Sequence, residues 1–211
     1  MKVAVLGATG RTGRPLVEEL LRRGHEVAVL VRDPAKLGET AGRVRVVTGS
    51  SRDAAALTDL ATGVDAVVSA LGPVGGDHTL HQDTAAALVP VLQRAGVARF
   101  IGVSGAGIDV PGDRKSPVAR LISLLIQKFG GAVVQDKPAE HACWAASDRE
   151  WTLVRPPRLK EGAPTGAVEH DAHRSARATW IDRADLAAFL VDCLEQDLYP
   201  RQAPLVAAAK A

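Results

Sequence analysis

The sequence predicts an α/β fold: a doubly wound, mainly parallel sheet with helices on both faces, forming a single domain over 1–211. Three observations predict it. Short Val-rich runs such as Lys2-Val3-Ala4-Val5-Leu6 show no polar alternation, as strands covered on both faces require. Stretches with apolar residues at helical spacing separate those runs. A cluster of glycines, Gly7, Gly10 and Gly13, stands where the first run gives way to the first such stretch.

The elements follow in order. Strand one is 2–6. Leu16, Val17, Leu20 and Leu21 then recur at helical spacing, and Gly24 can cap the helix end. Strands are expected at 27–31, 44–47 and 65–70, with a short helix over 53–61. Residues 79–95 are helical in period, and Pro90 inside them predicts a kink or a break. Residues 100–104 read as strand five. The second half is less regular: a loop over 105–116, helices over 117–129 and 136–148, and a strand over 151–154 stopped by Pro156-Pro157. Residues 158–176, rich in Gly, Pro, His and Arg, read as an exposed excursion. A final helix over 182–195 carries Leu186, Phe189, Leu190 and Leu194 on one face, with Asp182 as N-cap and Asp185 three residues on. No Ser/Gly linker or repeat divides the chain.

Composition excludes several classes. At 211 residues the chain can bury a core without disulfide or metal staples. Lys plus Arg is 26 against 24 for Asp plus Glu, a net charge of +2, which argues against a nucleic-acid binder. Aromatics are 3 % of residues, so stacking platforms for bases are few. Cys143 and Cys193 form no framework of bridges and no Cys-x-x-Cys pair, which fits a reducing, cytoplasmic setting. No run is long enough to span a membrane, and the apolar start is too short for a signal peptide.

The sharpest motif is Gly7-Ala8-Thr9-Gly10-Arg11-Thr12-Gly13, after strand one and opening helix one. Glycines there allow a tight reversal, close approach of backbone to a pyrophosphate, and close helix–strand packing. The helix N-terminus adds free N–H groups and partial positive charge for the phosphates. The end of strand two then selects the cofactor. Arg32, 19 residues beyond Gly13, can fork onto a 2′-phosphate, whereas an acidic residue would select NAD. NADP(H) is therefore expected over NAD(H). The competing residue, Asp33, precedes Pro34 and reads as a turn cap.

These residues, with Gly24-His25-Glu26-Val27, Ala95-Gly96-Val97, Val103-Ser104, the Trp151-to-Pro157 segment and Ile181-Asp182-Arg183-Ala184-Asp185-Leu186-Ala187, extend the motif along nearly the whole chain. In them the sequence resembles the atypical short-chain dehydrogenases, in the NAD(P)H-binding group that includes biliverdin IXβ and flavin reductases and nitrogen-repression-type regulators. The resemblance implies a Rossmann-like sheet of about seven strands in the order 3-2-1-4-5-6, with cofactor across its carboxyl edge. It places Gly7, Thr9, Gly10, Arg11, Thr12 and Gly13 on the pyrophosphate and Arg32 on the adenosine phosphate. Ala70, Leu71 and Gly72 then border the adenine ribose, Ser104 the nicotinamide, and Pro156 and Pro157 its face. Lys137 corresponds to the ribose-side lysine, and Arg158 stands at the substrate mouth. Ser104 and Lys137 are the candidate catalytic residues, and the substrate side is expected from 105–135 and 156–181.

One departure narrows the chemistry. Short-chain dehydrogenases commonly use Tyr-x-x-x-Lys, but Val133 stands four residues before Lys137, and the only tyrosine is Tyr199. Hydride transfer to a planar conjugated small-molecule acceptor, such as a flavin, quinone or tetrapyrrole, needs the least acid catalysis from the protein. A non-catalytic NADP sensor is the second reading, and a nucleotide-sugar epimerase or dehydratase a weaker third. Other polar groups have plainer explanations. His78 and His81 read as a solvated helix start, and His170 and His173 lie in an irregular polar segment; no metal site is assigned. Lys137 and Glu140 can pair on a helix surface. Ser104 could instead satisfy local backbone. Residues 105–130 would serve as a lid or a dimer contact, so monomer and homodimer are both open.

Overall fold

The computed structural model describes residues 1–72, 75–117, 120–121, 123–125 and 132–209, and of 132–135 the backbone. Six parallel strands form the central sheet: β1 (Lys2–Leu6), β2 (Glu26–Val31), β3 (Arg45–Thr48), β4 (Ala66–Ser69), β5 (Arg99–Val103) and β6 (Glu150–Val154). Their order is β3-β2-β1-β4-β5-β6. This is the Rossmann-like arrangement, and the order reverses beside β1, which opens a crevice between the carboxyl ends of β1 and β4.

The strands lack polar alternation because both faces are covered. Val3, Val5, Val27, Val29, Val68, Ile101 and Val154 face one layer, packed with Leu16, Val17 and Leu20 of α1 (Gly13–Arg22) and Phe189 and Leu190 of the C-terminal helix. The intervening residues Ala4, Leu6, Ala28, Leu30, Val67, Phe100 and Leu153 face the other. There they meet α2 (Ala54–Ala61), α3 (Leu80–Ala95) and α4 (Ala132–Ala146), where Trp144 stacks on Phe100 with centroids 3.7 Å apart. The two-residue pleat thus sends successive side chains to opposite cores.

Several details differ from the sequence reading. Helix α3 runs through Pro90 unbroken. The carbonyl that Pro90 cannot engage belongs to Ala86, an exposed residue, so water can take its place. Helix α4 starts and ends earlier than 136–148. Of the helix expected over 117–129, residues 117, 120, 121 and 123–125 are helical, and the others lie outside the described residues. The seventh strand is partial: Leu153 N–H and Arg155 N–H donate to the carbonyls of Gln202 and Pro204, so residues 202–205 run alongside β6.

The excursion 158–176 is more ordered than expected. It holds β7 (Arg158–Lys160) and β8 (Val168–Asp171). β7 pairs in parallel with β9 (Trp180–Asp182), and β8 runs antiparallel to β10 (Leu205–Ala208). Asp185, in the final helix α5 (Arg183–Glu195), is buried and completes no capping box. Its carboxylate accepts from the amides of Thr165 and Gly166 and the Thr165 hydroxyl, tying the excursion down. Asp182 precedes α5 without a side-chain capping bond. Among the described residues, no helix is long and apolar enough to cross a membrane.

Candidate functional site

The glycine loop leaves β1 and turns against the end of β4. Gly7 has φ +79°, and a Cβ there would lie 2.9 Å from the Ala70 carbonyl carbon and from the Leu71 nitrogen. Both its left-handed backbone and its neighbours demand glycine. A Cβ on Gly13 would lie 1.9 Å from the Gly7 carbonyl oxygen, so α1 starts directly on the loop backbone. The loop closes on itself through Gly10 N–H to the Gly7 carbonyl at 2.9 Å. Thr9 is half-buried, while Gly10 and Arg11 are exposed. Within the first α1 turn Arg14 N–H donates to the Gly10 carbonyl at 3.0 Å, Leu16 N–H donates to the Thr12 carbonyl at 3.1 Å, and Pro15 has no N–H, so it is the backbone of the loop up to Gly13 that fits a dinucleotide pyrophosphate.

Thr12 is buried, and its hydroxyl does not cap α1; it accepts from Arg183 Nη1 at 3.2 Å. Arg183 also donates from Nε to Glu161 at 2.7 Å, and Glu161 lies 3.7 Å from Arg11. Sequence reading placed Arg183 only within a shared segment, because its partners come from elements far apart in the chain. Arg32 follows β2 directly and is exposed. Ala70, Leu71 and Gly72 follow β4, running from buried to exposed.

Ser104 stands just past β5, 8 % exposed, with its amide bonded to the Val154 carbonyl. Its hydroxyl has no hydrogen-bond partner among the described residues. The alternative in which local backbone satisfies it is therefore set aside. A buried hydroxyl left unpaired costs roughly 1–3 kcal/mol and in a native fold calls for a partner the protein itself lacks. Ala106 N–H donates to the Pro156 carbonyl at 3.0 Å, which brings the stretch after Ser104 against Pro156 and Pro157. The sheet edge thus carries both a cradle that admits no Cβ and a buried hydroxyl without a partner among the described residues, features that fit a bound dinucleotide.

Lys137, on α4, donates to the carbonyl of Val103 and to Glu140 Oε2, each at 3.0 Å. The Lys137–Glu140 pair exists as expected, but it is buried rather than on a surface. Burial pushes the Lys137 ammonium below its ordinary pKa, against the pull of Glu140. Burial likewise pushes the Glu140 carboxyl up, against Lys137. Asp136 turns the other way. Its carboxylate accepts from the amides of His81 and Gln82 at 2.9 and 2.7 Å and so caps α3, whose own Thr79 makes no side-chain cap. His81 is buried, not solvated, and burial with the nearby Lys137 charge drives its pKa from 6.5 to about 4.

Arg155, at the end of β6, is fully buried. It forks onto Asp113 through two 2.7 Å bonds and also donates to the carbonyls of Ile108, Ala203 and Ala172. Its position before Pro156-Pro157 was visible in sequence; its partner was not. Arg158 opens β7 and is exposed. Tyr199 bonds His170 Nδ1 at 2.7 Å beside Phe189, and its carbonyl accepts from the hydroxyl of Thr152 in β6. His170 lies in β8 rather than in irregular chain. Among the described residues no group of three His, Cys, Asp or Glu could hold a metal.

Comparison with known proteins agrees with this geometry. A family model described as NAD(P)H-binding matches residues 7–197. An uncharacterized chloroplastic protein of Arabidopsis thaliana is 30 % identical over 209 residues, which are 93 % of this chain and 72 % of that protein. An uncharacterized Bacillus subtilis protein is 36 % identical over 109 residues, 51 % of this chain, and the match spans only 48 % of its length. A Streptococcus pneumoniae structure, described as a candidate NADH-flavin reductase, superposes with a TM-score of 0.81 at 25 % identity, covering 99 % of this chain and all of the other.

Proposed function

The chain belongs to the NAD(P)H-binding family, and from that premise we propose that it is an NADPH-dependent reductase passing hydride to a planar conjugated acceptor. The observation that carries the proposal is the buried Ser104 hydroxyl, without a partner among the described residues, on the sheet edge that the glycine loop also occupies. The likeness to a protein described as a flavin reductase supports the same reading.

The roles divide as follows. The 7–13 loop holds the pyrophosphate on its backbone amides. Arg32 takes the 2′-phosphate, which favours NADP over NAD. Ala70, Leu71 and Gly72 border the ribose. Bound NADPH supplies the hydride. Pro156 and Pro157 give a flat, apolar wall without competing donors. Ser104 donates to or accepts from the polar edge of the acceptor. Lys137 holds the end of β5 through the Val103 carbonyl and keeps a proton near Ser104, with Glu140 balancing its charge. Arg158 faces the mouth, and residues 105–135 and 156–181 of the single domain build the acceptor side. A non-catalytic dinucleotide sensor is the second reading, favoured by Val133 standing where a proton-donating tyrosine would.

NADPH oxidation with flavins, quinones and tetrapyrroles tests the proposal. Saturable turnover with at least one class, reduced about 10-fold or more in Ser104→Ala, is expected. Tight NADPH binding without turnover on any acceptor would support the sensor instead.

A further inference from the structure

We propose that Arg114 and Arg174 form an anion-binding subsite that takes the phosphate or carboxylate arm of the acceptor. The inference rests on the reductase reading for its location, but not for its chemistry.

The two residues are partners in an isolated parallel bridge, and the Arg114 amide donates to the carbonyl of His173 at 2.9 Å. Residues paired across strands send their side chains to one face, so the two arginine side chains leave the bridge on the same side. Like charges placed opposite one another repel, and neither side chain donates a hydrogen bond to another described residue. Both are exposed. The neighbouring carboxylates accept other hydrogen bonds. Asp113 is forked by Arg155 and Glu169 accepts from the Arg177 amide, while Asp171 accepts from the amides of His173 and Arg174 and is the one of these carboxylates that also feels the Arg174 charge.

The pairing is held by a costly device. Arg155, with no exposed surface, reaches Asp113 on one side and the Ala172 carbonyl on the other. Those residues immediately precede His173-Arg174 and Arg114, so one buried guanidinium fixes both chains in register. A buried ion pair adds little net stability but sets geometry. The place also fits. The 105–116 segment leaves Ser104, touches Pro156 through Ala106, and folds back so that Lys115 Nζ meets the Ala106 and Ile108 carbonyls at 2.8 and 2.6 Å. Arg114 thus stands one residue from the Asp113 that Arg155 holds, and Arg155 is one residue from Pro156, which is what ties the arginine pair to the acceptor side. Two planar forks there suit an oxyanion and do not suit a neutral arm.

Acceptor pairs that differ only in charge test the subsite: FMN against riboflavin, and biliverdin against its dimethyl ester. KM with NADPH and direct binding by fluorescence quenching would be measured for the wild type and for Arg114→Gln/Arg174→Gln. The charged member of at least one pair should have a KM or Kd ~10-fold lower than its neutral counterpart. The double variant should erase that difference while leaving the neutral member's constants unchanged. Equal treatment of charged and neutral members by the wild type overturns the proposal. So does an equal loss for both in the variant, or no binding of any of the four. Charge-selective binding that the variant abolishes, without turnover, keeps the subsite and contradicts the reductase reading.

Discussion

A methyl group added at Gly13 would meet the Gly7 carbonyl oxygen at 1.9 Å, and no side-chain rotation relieves a backbone clash. Gly13→Ala should therefore abolish NADPH binding, measured by titration of nicotinamide fluorescence. It should also lower the melting temperature by ~4–8 °C, as expected for roughly 2 kcal/mol of overpacking. Arg32 acts on another part of the ligand. Arg32→Glu should weaken NADPH at least ~10-fold more than NADH in parallel titrations; equal losses would remove the 2′-phosphate assignment. The glycine spacing was legible because its cause is local: strand, turn and helix follow one another within a few residues. Glu140 as a buried partner of Lys137 was not, because an i, i+3 pair reads the same on a wet face and a dry one. Only the packing of α4 against α3 and the end of β5 decides which it is. The same holds for Arg183, whose link to Thr12 crosses 171 positions.

At the level of elements, the six strands and most of their helices were readable from unbroken apolar runs and helical spacing, with edges shifted by a residue or so, while α4 begins four residues before the expected 136. The excursion 158–176 was misread because β7 and β8 are three and four residues long and follow Gly- and Pro-rich chain. Their pairing partners lie at 180–182 and 205–208, out of reach of any local pattern. Buried carboxylates hold these pieces. Asp113→Asn leaves the fully buried Arg155 without its countercharge, which should cost ~3–5 kcal/mol. Amide hydrogen exchange in 105–116 and 172–174 should rise well before that in β1 or β4. Uniform exchange across the chain would show that the pair serves global stability rather than these segments. Asp185→Ala should act likewise on 165–166.

For the whole molecule, burial couples stability to pH through His81. Its pKa falls from 6.5 in the unfolded chain to about 4 in the fold. Between those values the unfolded state binds more protons, so stability rises with pH. The contribution is fully present above 6.5 and is lost as pH falls through 4. Melting temperature should thus drop from pH 7 to pH 4, and His81→Gln should flatten that slope; an unchanged slope would assign the effect to other groups. The architecture itself was legible because a doubly wound sheet has few ways to order its strands. The acceptor side was not, since it is assembled from loops and short pairs whose register depends on buried Arg155. The central claim is chemical, and a single-turnover measurement reaches it directly. Protein loaded with 4-deuterated NADPH is mixed with the preferred acceptor, and the deuterium is followed by mass spectrometry. Transfer of deuterium from one face of the nicotinamide to the reduced acceptor, slowed in Ser104→Ala, is the predicted result. Bound NADPH that keeps its deuterium before every flavin, quinone and tetrapyrrole offered would contradict it.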